Sequence, residues 1–500
     1  MKKLFVVLVT IFLASSCGGN KKVEEKQELL PIMEKALLDV NSRFYADFAQ
    51  YPKEKKMLPI GVFDSGTGGL TVLEVLLSID EIDNITGELK PDGIPDFEGE
   101  NFTYLADKAN MPYGNYAAAG KEQFFKELIL KDALFLLGNK YYFNHVDKEP
   151  LGVKEPSKIL IIACNTATAY GLGEINTLLT ESGTGVKVIG VINAGVNALF
   201  DMLSHRNTLQ LPAKDSIAVG VLATVGTISS DAYERTIRET QKAKGYNGYI
   251  KVVNQPGAGF AEAVDMEGDF VNTALKAPRD SYRGPVLGTG ADDIDPEMLP
   301  VYKFDYSGNR MLVKKENGRI KELQLNSAAN YARFHLVSLL EKHRKHGADI
   351  PLRHVILGCT HYPFLLDTLQ KVMRELTEYK EKGVYKYRDL IANDFSFIDP
   401  AVFTALECYK TLREEKALAL RITRGKVDAY ISVPVFGLSL DKLDGEGNLS
   451  YDFKYGREYG TEEMSTVFVP FSRRYINDET IDRIERMLPH SFSQIKNRLN

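Results

Sequence analysis

The sequence lacks a strongly basic segment, and it contains little cysteine. Its formal net charge is −5 and its pI is about 6.0, so a nucleic-acid partner is not expected. The four cysteines are too few and too widely spaced for a disulfide framework, and they are Cys17, Cys164, Cys359 and Cys408. Hydrophobic residues make up 44% and charged residues 26% of the chain, which excludes a disordered or collagen-like protein. The length of 500 residues predicts two to four domains.

Long apolar runs are also scarce, and the one near the N-terminus is too short to span a bilayer, which takes about 20 residues. Residues 4–16 are apolar until their last serines, follow two lysines, and lead through small residues into Cys17. This arrangement resembles a bacterial lipoprotein signal. We therefore expect residues 1–16 to be a signal peptide and Cys17 to be lipidated, with a plain signal peptide as the alternative. Several acyl chains on Cys17 would anchor an exported protein to membrane lipid, facing the periplasm.

Apolar strand-like runs alternate with helix-like segments between residues 58 and 410. This alternation predicts parallel sheets with helices on both faces, which is an α/β architecture. The expected organisation is a tether and N-terminal helix in 17–56, a first domain in 57–195 with a return segment of about 390–500, and a second domain in 196–389. The apolar spacing also predicts amphipathic helices within 27–50 and over 478–499.

Two sequence patterns each occur twice, in alternating order. The first is a strand, a Gly- and Thr-rich turn and a helix, and it begins at Pro59 and again at Ala218. The second is a strand, a cysteine and a hydroxyl-rich helix start, and it contains Cys164 and then Cys359. The repeated order predicts two pseudo-symmetric α/β domains with the active site in the cleft between them. Ligands of such sheets bind at the carboxyl ends of the strands and at domain interfaces.

The matched cysteines are the main candidates for chemistry. Cys164 and Cys359 each follow an apolar strand and precede a predicted helix, whose positive N-terminus favours a thiolate. A single cysteine of this kind is more often a buried structural residue. Two thiols that face one cleft can instead act on opposite faces of one carbon atom, where one removes a proton and the other returns one. The expected outcome is inversion of a stereocentre. Cys408 has helical spacing with apolar neighbours and is predicted to be a core residue.

Polar groups next to the thiols complete the predicted site. The turn at 64–69 offers backbone N–H groups to an anion, although a tight strand–helix turn alone explains the same sequence. The side chains that follow the two cysteines directly are Asn165, Thr166 and Thr360. His361 can tune a thiol or relay a proton, and a half-buried structural histidine is the alternative. A Cys–His metal pair is disfavoured because the sequence shows no further cluster of Cys and His, so no metal is predicted.

Six successive motifs between about 58 and 410 resemble those of the glutamate racemase family, in the aspartate/glutamate racemase superfamily. In chain order they are Ile60-GVFDSGTGGLTVL, Asp107-KANMPYGNY, Ile162-ACNTATA, Val221-LATVGTISSDAY, Leu357-GCTHYPFL and Phe397-IDPA. The resemblance implies two α/β domains with the substrate between them and an amino-acid racemase that acts on glutamate. It also implies that no cofactor is used. D-glutamate from this family serves peptidoglycan synthesis.

The resemblance further implies the roles of individual residues. Cys164 and Cys359 would be the two acid–base residues, with Asp64 assisting the first and His361 the second. The residues that would hold the substrate's amino and carboxylate groups are Asp64, Ser65, Tyr113, Gly114, Asn165, Thr166, Thr360 and His361. Further positions that match substrate-facing hydroxyls or an acidic residue of the family are Thr224, Thr227 and Glu262.

Other functions are left open by the sequence. Asn193-Ala194 stands where the family usually has an acidic or imidazole side chain followed by proline, and the export signal separates the protein from cytoplasmic cell-wall synthesis. Both features favour a racemase of the same superfamily with another small acidic or amino-acid substrate. A catalytically inactive amino-acid-binding lipoprotein is a further alternative. A Cys–His hydrolase is the last, because it would leave the second cysteine without a role. A homodimer is also left open.

Overall fold

A computed structural model describes residues 29–204, 216–290, 292–346, 350–419, 423–461 and 464–499. The predicted signal peptide and the predicted lipidation site Cys17 lie outside the described residues. Among the helices in these ranges, none combines the length and the apolar character that a membrane crossing requires.

The strands are short, and in the described part of the chain they form two main sheets and three two-stranded pairs. In chain order they are β1 (Ile60–Asp64), β2 (Phe102–Ala106), β3 (Lys140–Tyr141), β4 (Gly152–Val153), β5 (Ile159–Ile162), β6 (Lys187–Gly190), β7 (Ile217–Ala223), β8 (Ile250–Pro256), β9 (Met311–Glu316), β10 (Arg319–Leu325), β11 (Leu352–Gly358), β12 (Lys380–Glu381), β13 (Val384–Tyr385), β14 (Ile391–Ile398), β15 (Val427–Pro434) and β16 (Thr466–Pro470).

Helices follow most of the strands of the two main sheets. In chain order they are α1 (Pro31–Leu38), α2 (Leu70–Ser78), α3 (Gly114–Ala118), α4 (Glu122–Leu137), α5 (Asn165–Ser182), α6 (Val191–Ser204), α7 (Val225–Ser229), α8 (Ala232–Ala243), α9 (Phe260–Val264), α10 (Leu299–Tyr302), α11 (Ala328–Lys345), α12 (Leu366–Thr377), α13 (Pro400–Glu414), α14 (Tyr451–Gly456), α15 (Asp478–Met487) and α16 (Pro489–Leu499).

The first sheet has the strand order β16-β15-β2-β1-β5-β6. The five strands β15, β2, β1, β5 and β6 run parallel to one another, and the edge strand β16 is antiparallel to β15. Successive residues of β1 enter different cores, because Ile60 and Val62 pack on one face of the sheet and Phe63 packs on the other. The sheet is therefore buried on both faces, and the C-terminal part of the chain completes it.

The second sheet has the order β14-β11-β7-β8, and all its strands run parallel. It is also buried on both faces, since Val355 and Leu357 of β11 enter one core and Ile356 enters another. The predicted α/β fold class with two parallel sheets is therefore confirmed. Because β14 belongs to this sheet, the chain returns toward the first sheet only with α13, later than the boundary that we placed near 390.

Two helices differ from the predicted spans. The N-terminal helix ends at Leu38 instead of continuing through 50, because the Asp39 side chain accepts the Asn41 N–H at 3.0 Å and turns the chain. The helical pattern over 478–499 is divided into α15 and α16 at Pro489, which has no N–H to donate and begins the second helix. The predicted core residue Cys408 is fully buried in α13.

Candidate active site

Cys164 and Cys359 lie at equivalent places in the two sheets. Cys164 follows β5 and forms the N-cap of α5, where its Sγ accepts the Ala167 N–H at 3.4 Å. Cys359 follows β11 and precedes the short helix Tyr362–Leu365. The two residues are 7% and 6% exposed. Each thiol is therefore buried at the carboxyl end of an inner strand, the end at which parallel sheets bind ligands.

Residues from the two domains meet next to these thiols. A Cβ atom at Gly68, in the first Gly-rich turn, would lie 2.6 Å from both His361 Cε1 and Thr360 Oγ1. The Thr71 hydroxyl, which donates to the Gly68 carbonyl at 2.9 Å, also lies 3.3 Å from the Thr360 carbonyl oxygen. A glycine is therefore required for the first turn to approach the segment that follows Cys359. A thiolate at Cys359 would also act to raise the pKa of Cys164.

Asp64 ends β1 and supports the Gly-rich turn. Its Oδ2 accepts N–H groups of Gly66 at 3.2 Å and Gly69 at 2.9 Å. Among the described residues, no donor reaches its buried Oδ1. Burial raises the pKa of Asp64, although the charge of His361 and the backbone N–H groups act in the opposite direction. A carboxyl group in this state can hold a proton at Oδ1.

Burial and the charge of Asp64 raise the pKa of Cys164 well above its usual value. The Sγ of Cys164 also lies 3.8 Å from the Ser65 hydroxyl oxygen, at a distance suited to a weak hydrogen bond. Burial and the charge of Asp64 both favour the thiol form of Cys164, which suits it to donate a proton.

The second thiol belongs to a chain of hydrogen bonds. Cys359 Sγ lies 3.5 Å from His361 Nδ1, and His361 Nε2 lies 2.8 Å from Asp265 Oδ2. The other carboxylate oxygen of Asp265 accepts a hydrogen bond from Arg483 at 2.5 Å. Sequence reasoning did not identify Asp265 or Arg483. The only signal for Asp265 was its position three residues after Glu262, a spacing that would place both side chains on one face if the helix continued, but α9 ends at Val264.

This network fixes the charges beside Cys359. Burial acts to lower the pKa of His361, but the charge and hydrogen bond of Asp265 and the contact with Cys359 raise it well above its usual value. Burial acts to raise the pKa of Asp265, but His361 and Arg483 together lower it to about 2. These interactions favour the imidazolium form of His361 and the carboxylate form of Asp265. An imidazolium next to a sulfur atom can donate a hydrogen bond to a thiolate.

Hydroxyl and amide groups form a second polar cluster at the domain interface. Thr166 Oγ1 lies 3.0 Å from Thr224 Oγ1 and 3.1 Å from Thr227 Oγ1. Next to Thr166, the side-chain oxygen of Asn165 accepts the Tyr233 hydroxyl at 2.6 Å. The start of α5 from the first domain is therefore hydrogen-bonded to the start of α7 and to α8 of the second. Hydroxyl groups of this kind can exchange their mutual hydrogen bonds for bonds to a carboxylate.

The predicted binding residue Tyr113 uses its hydroxyl elsewhere. It donates to Asp132 Oδ2 at 2.7 Å and lies 2.5 Å from Asp107 Oδ2, all within the buried interior. Gly114 lies against the second domain, since a Cβ at Gly226 would be 2.8 Å from Gly114 Cα. That these two residues bind the substrate stays a prediction. Because the Tyr113 hydroxyl is already hydrogen-bonded, Tyr113 would have to bind the substrate through its backbone.

Glu262 lies in α9 and acts on His361 through its charge, and burial raises its pKa. Hydrogen bonding to His361 comes instead from Asp265, directly after the same helix. Within the described ranges, no three or more His, Cys, Asp or Glu side chains are grouped as metal ligands.

A cavity of about 1430 Å³ adjoins the His361 side of the site. Its wall includes Thr67 of the Gly-rich turn, Met111 and Asp265. The C-terminal residues 433–438 and 474–477 form another part of the wall. Asp265 therefore lies between the open cavity and the histidine next to Cys359.

No family model matches the chain, but individual glutamate racemases are similar to it. It is 32% identical to a glutamate racemase of Enterococcus faecalis over 314 residues, which cover 63% of this chain and 71% of the relative. It is 26% identical to a glutamate racemase of Carboxydothermus hydrogenoformans over 379 residues, which cover 76% of this chain and 88% of the relative. The alignment with the enzyme of Levilactobacillus brevis reaches 34% identity but covers 36% of this chain and 46% of the relative.

Solved structures of glutamate racemases are also similar to this chain. The isoform RacE1 from Bacillus anthracis aligns with 75% of this chain and 88% of its own, at 21% identity and a TM-score of 0.41. The enzyme from Francisella tularensis, solved in complex with D-glutamate, aligns over the same shares at 20% identity and a TM-score of 0.39.

Proposed function

Because the chain belongs to the glutamate racemase family, we propose that it interconverts L- and D-glutamate by proton transfer between Cys164 and Cys359. The observation that carries this proposal is the placement of two buried thiols at the carboxyl ends of inner strands in two parallel sheets, next to a shared domain interface. A single nucleophile or a single base would use only one of these thiols. An exchange of protons at one stereocentre uses both.

In the proposed reaction, the thiolate of Cys359 removes the α-hydrogen of glutamate as a proton and becomes a thiol. The electron pair of the broken C–H bond is left on the α-carbon and spreads into the substrate carboxylate. The Cys164 thiol then gives its proton to the opposite face of the carbon and becomes a thiolate. The product is the other enantiomer, and the reverse reaction exchanges the roles of the two sulfur atoms. His361 supports a thiolate on Cys359, and Asp64 adjusts the charge at Cys164.

The negative substrate needs local donors, since the protein has a net charge of −5. The backbone N–H groups at the start of α5 can bind a carboxylate. The hydroxyls of Thr166, Thr224 and Thr227 lie next to them. We infer that these groups bind the substrate's carboxylates and strengthen their hydrogen bonds as charge moves from the α-carbon.

The test is to incubate the purified protein with each glutamate enantiomer in D2O, and to follow both racemisation and exchange of the α-hydrogen. Cys164→Ala and Cys359→Ala should each abolish racemisation, because inversion needs a proton from the face that the missing thiol served. Either variant can still exchange the α-hydrogen of one enantiomer without inverting it. Cys408→Ala, which removes a buried core thiol away from the site, is the matched control and should keep activity. Normal turnover in Cys164→Ala would refute the two-thiol mechanism.

A second candidate is a racemase of the same superfamily acting on another small acidic or amino-acid substrate. Asn193-Ala194 favours it, since these residues replace an acidic or imidazole side chain and a proline that are usual in the family. A panel of L-amino acids and small acids in the same exchange assay separates the two candidates. Exchange with another substrate and none with glutamate would favour the second. Glutamate binding by calorimetry without any exchange would instead indicate an inactive binding protein.

We also propose that Cys17 carries acyl chains that hold the protein on a bacterial membrane, facing the periplasm. The basic start, the short apolar run and the small residues before Cys17 support this proposal. In a bacterial expression host that processes lipoproteins, the wild-type chain should incorporate labelled palmitate and sediment with membranes. Cys17→Ser should do neither, and labelling of that variant equal to wild type would contradict the proposal.

A further inference from the structure

The C-terminal helices α15 and α16 connect the two domains at the candidate site. In α16, the backbone N–H groups of His490 and Ser491 donate to Glu74 of α2, at 3.0 and 2.7 Å. Helix α2 directly follows the Gly-rich turn of the first domain. From α15, Arg483 extends to the second domain and donates to the Val264 carbonyl at 2.5 Å. The two C-terminal helices are therefore attached to the first domain, and Arg483 extends from them to the second.

Arg483 is held on several sides. Its guanidinium donates to Asp265 Oδ1 at 2.5 Å and lies 5.3 Å from the ring centre of Phe364, which belongs to the short helix after Cys359. Its side chain is 11% exposed, as is that of Asp265. Arginine keeps its charge at all ordinary pH values, and its planar group suits a carboxylate partner. A charged group that is this enclosed needs its partners to offset the loss of solvation.

We propose that Arg483 is a positioning residue for racemisation: it holds the Asp265 side chain in the position in which it orients His361 toward Cys359. The inference rests on the proposed function. The two oxygens of Asp265 are divided between the two cations, Oδ2 to His361 and Oδ1 to Arg483. Arg483 therefore acts through Asp265 and His361 rather than on the substrate itself.

Removal of Arg483 would leave a buried carboxylate with one cationic partner. The pKa of Asp265 would then rise from about 2, and the pKa of His361 would also rise, because the loss of a nearby positive charge favours the protonated form of both groups. Other charged groups also face this pair. Glu262, Glu267 and Asp64 act on His361 through charge, and Lys108 acts on Asp265. Tyr104 and Cys359 are further titratable neighbours. These groups are unchanged in an Arg483 variant, so a shift in His361 reports the arginine.

The test compares the full-length wild type with Arg483→Ala, Arg483→Lys and Arg486→Ala. Arg486 lies on the exposed side of the same helix and is the matched control. Two quantities are measured against pH, kcat/KM for both glutamate enantiomers and the protonation of His361 by NMR of the labelled imidazole. Arg483→Ala should lower kcat/KM by roughly tenfold to a hundredfold, because Asp265 and His361 would lose part of their orientation toward Cys359. The alkaline limb of the profile and the titration of His361 should both move to higher pH, because a positive charge near the imidazole is lost.

Arg483→Lys should keep part of the activity because it keeps the charge, and added guanidinium should partly restore Arg483→Ala. If Arg483→Ala does not fold, the same measurements, including the His361 titration, are made on Arg483→Lys. A loss of activity with an unchanged pH profile and an unchanged His361 titration would overturn the proposal, since it would show a structural role alone. If the wild type exchanges no α-hydrogen of glutamate, the proposed function fails. The His361 titration then still decides whether Arg483 controls this histidine.

Discussion

The contact at Gly68 gives a direct test of the domain arrangement, because a single methyl group can separate the two halves of the site. In Gly68→Ala the new Cβ would lie 2.6 Å from His361 Cε1 and 2.6 Å from Thr360 Oγ1. Gly68 has a backbone conformation that alanine also adopts, so the change is steric rather than conformational. The obstacle is on the catalytic side of the interface, next to the histidine that contacts Cys359.

The size of the effect follows from the overlap. Nonbonded heavy atoms approach to about 3.5 Å, so the first turn and the His361 segment would have to separate by roughly 0.9 Å. A displacement of about 1 Å between reacting groups can lower the rate ~100-fold. That factor corresponds to about 2.7 kcal/mol in the activation free energy. The free energy of unfolding should fall by only roughly 1–3 kcal/mol, the usual cost of an extra methyl group in a packed interior.

The assay measures kcat/KM for L- and D-glutamate by circular dichroism, together with thermal unfolding. Gly173→Ala is the control, because a Cβ at Gly173 in α5 would meet no atom within 4 Å. That variant should keep full activity and gain a little stability, since alanine is a better helix former than glycine. A kcat/KM for Gly68→Ala within twofold of wild type would refute the reasoning, because the close approach of the domains would then be unnecessary for catalysis.

Three further predictions follow from individual contacts. Asp265→Asn removes the charge that raises the pKa of His361, so the alkaline limb of the kcat/KM profile should move to lower pH; an unmoved limb contradicts this role. Thr166→Val removes a hydroxyl that lies within 3.1 Å of two others, and should raise KM for glutamate while the free energy of unfolding falls by only about 1–3 kcal/mol in urea titration. Lys158→Met removes one partner of a 2.5 Å ion pair with Glu100, whose two side chains are 0% and 2% exposed. The free energy of unfolding from the same urea titration should fall by about 3–5 kcal/mol, because a buried charge is left without its partner. A fall of less than about 1 kcal/mol would contradict this prediction.

The parts of the fold that could be predicted from sequence are those with a strong local signal. Continuous apolar runs such as those of β5 and β11 fill both faces of a parallel sheet, so their burial is visible in the sequence. The cysteine that follows each run is then placed at the carboxyl end of a strand. Asp39 and Pro489 are local signals for the end of α1 and for the start of α16. The prediction missed both because the apolar spacing remains helical across these residues.

The parts that could not be predicted depend on tertiary contacts. Asp265 lies in an acidic stretch with Glu262 and Glu267, and sequence spacing alone does not decide which carboxylate faces His361. Arg483 is 218 residues away from Asp265 along the chain, so no local pattern connects them. Tyr113 has the family's motif, yet its hydroxyl is bound by two buried carboxylates, which no linear pattern indicates. Long-range electrostatic pairing is therefore where the structure adds most to the sequence.

The two thiols lie in unequal surroundings, although the two enantiomers of an amino acid have equal free energies. Burial and the charge of Asp64 disfavour a thiolate on Cys164, whereas the imidazolium of His361 lies beside Cys359. Because the equilibrium constant between the enantiomers is one, a racemase must have the same kcat/KM in both directions. The asymmetry of the site can therefore make kcat and KM differ between the two directions only by the same factor. In the proposed two-thiol reaction, each turnover nevertheless places a thiolate on Cys164. Burial raises the pKa of Asp64, and its Oδ1 has no donor among the described residues, so Asp64 can hold a proton while Cys164 is ionised. The pair then carries one negative charge instead of two, which avoids burying a second anion on that side of the site.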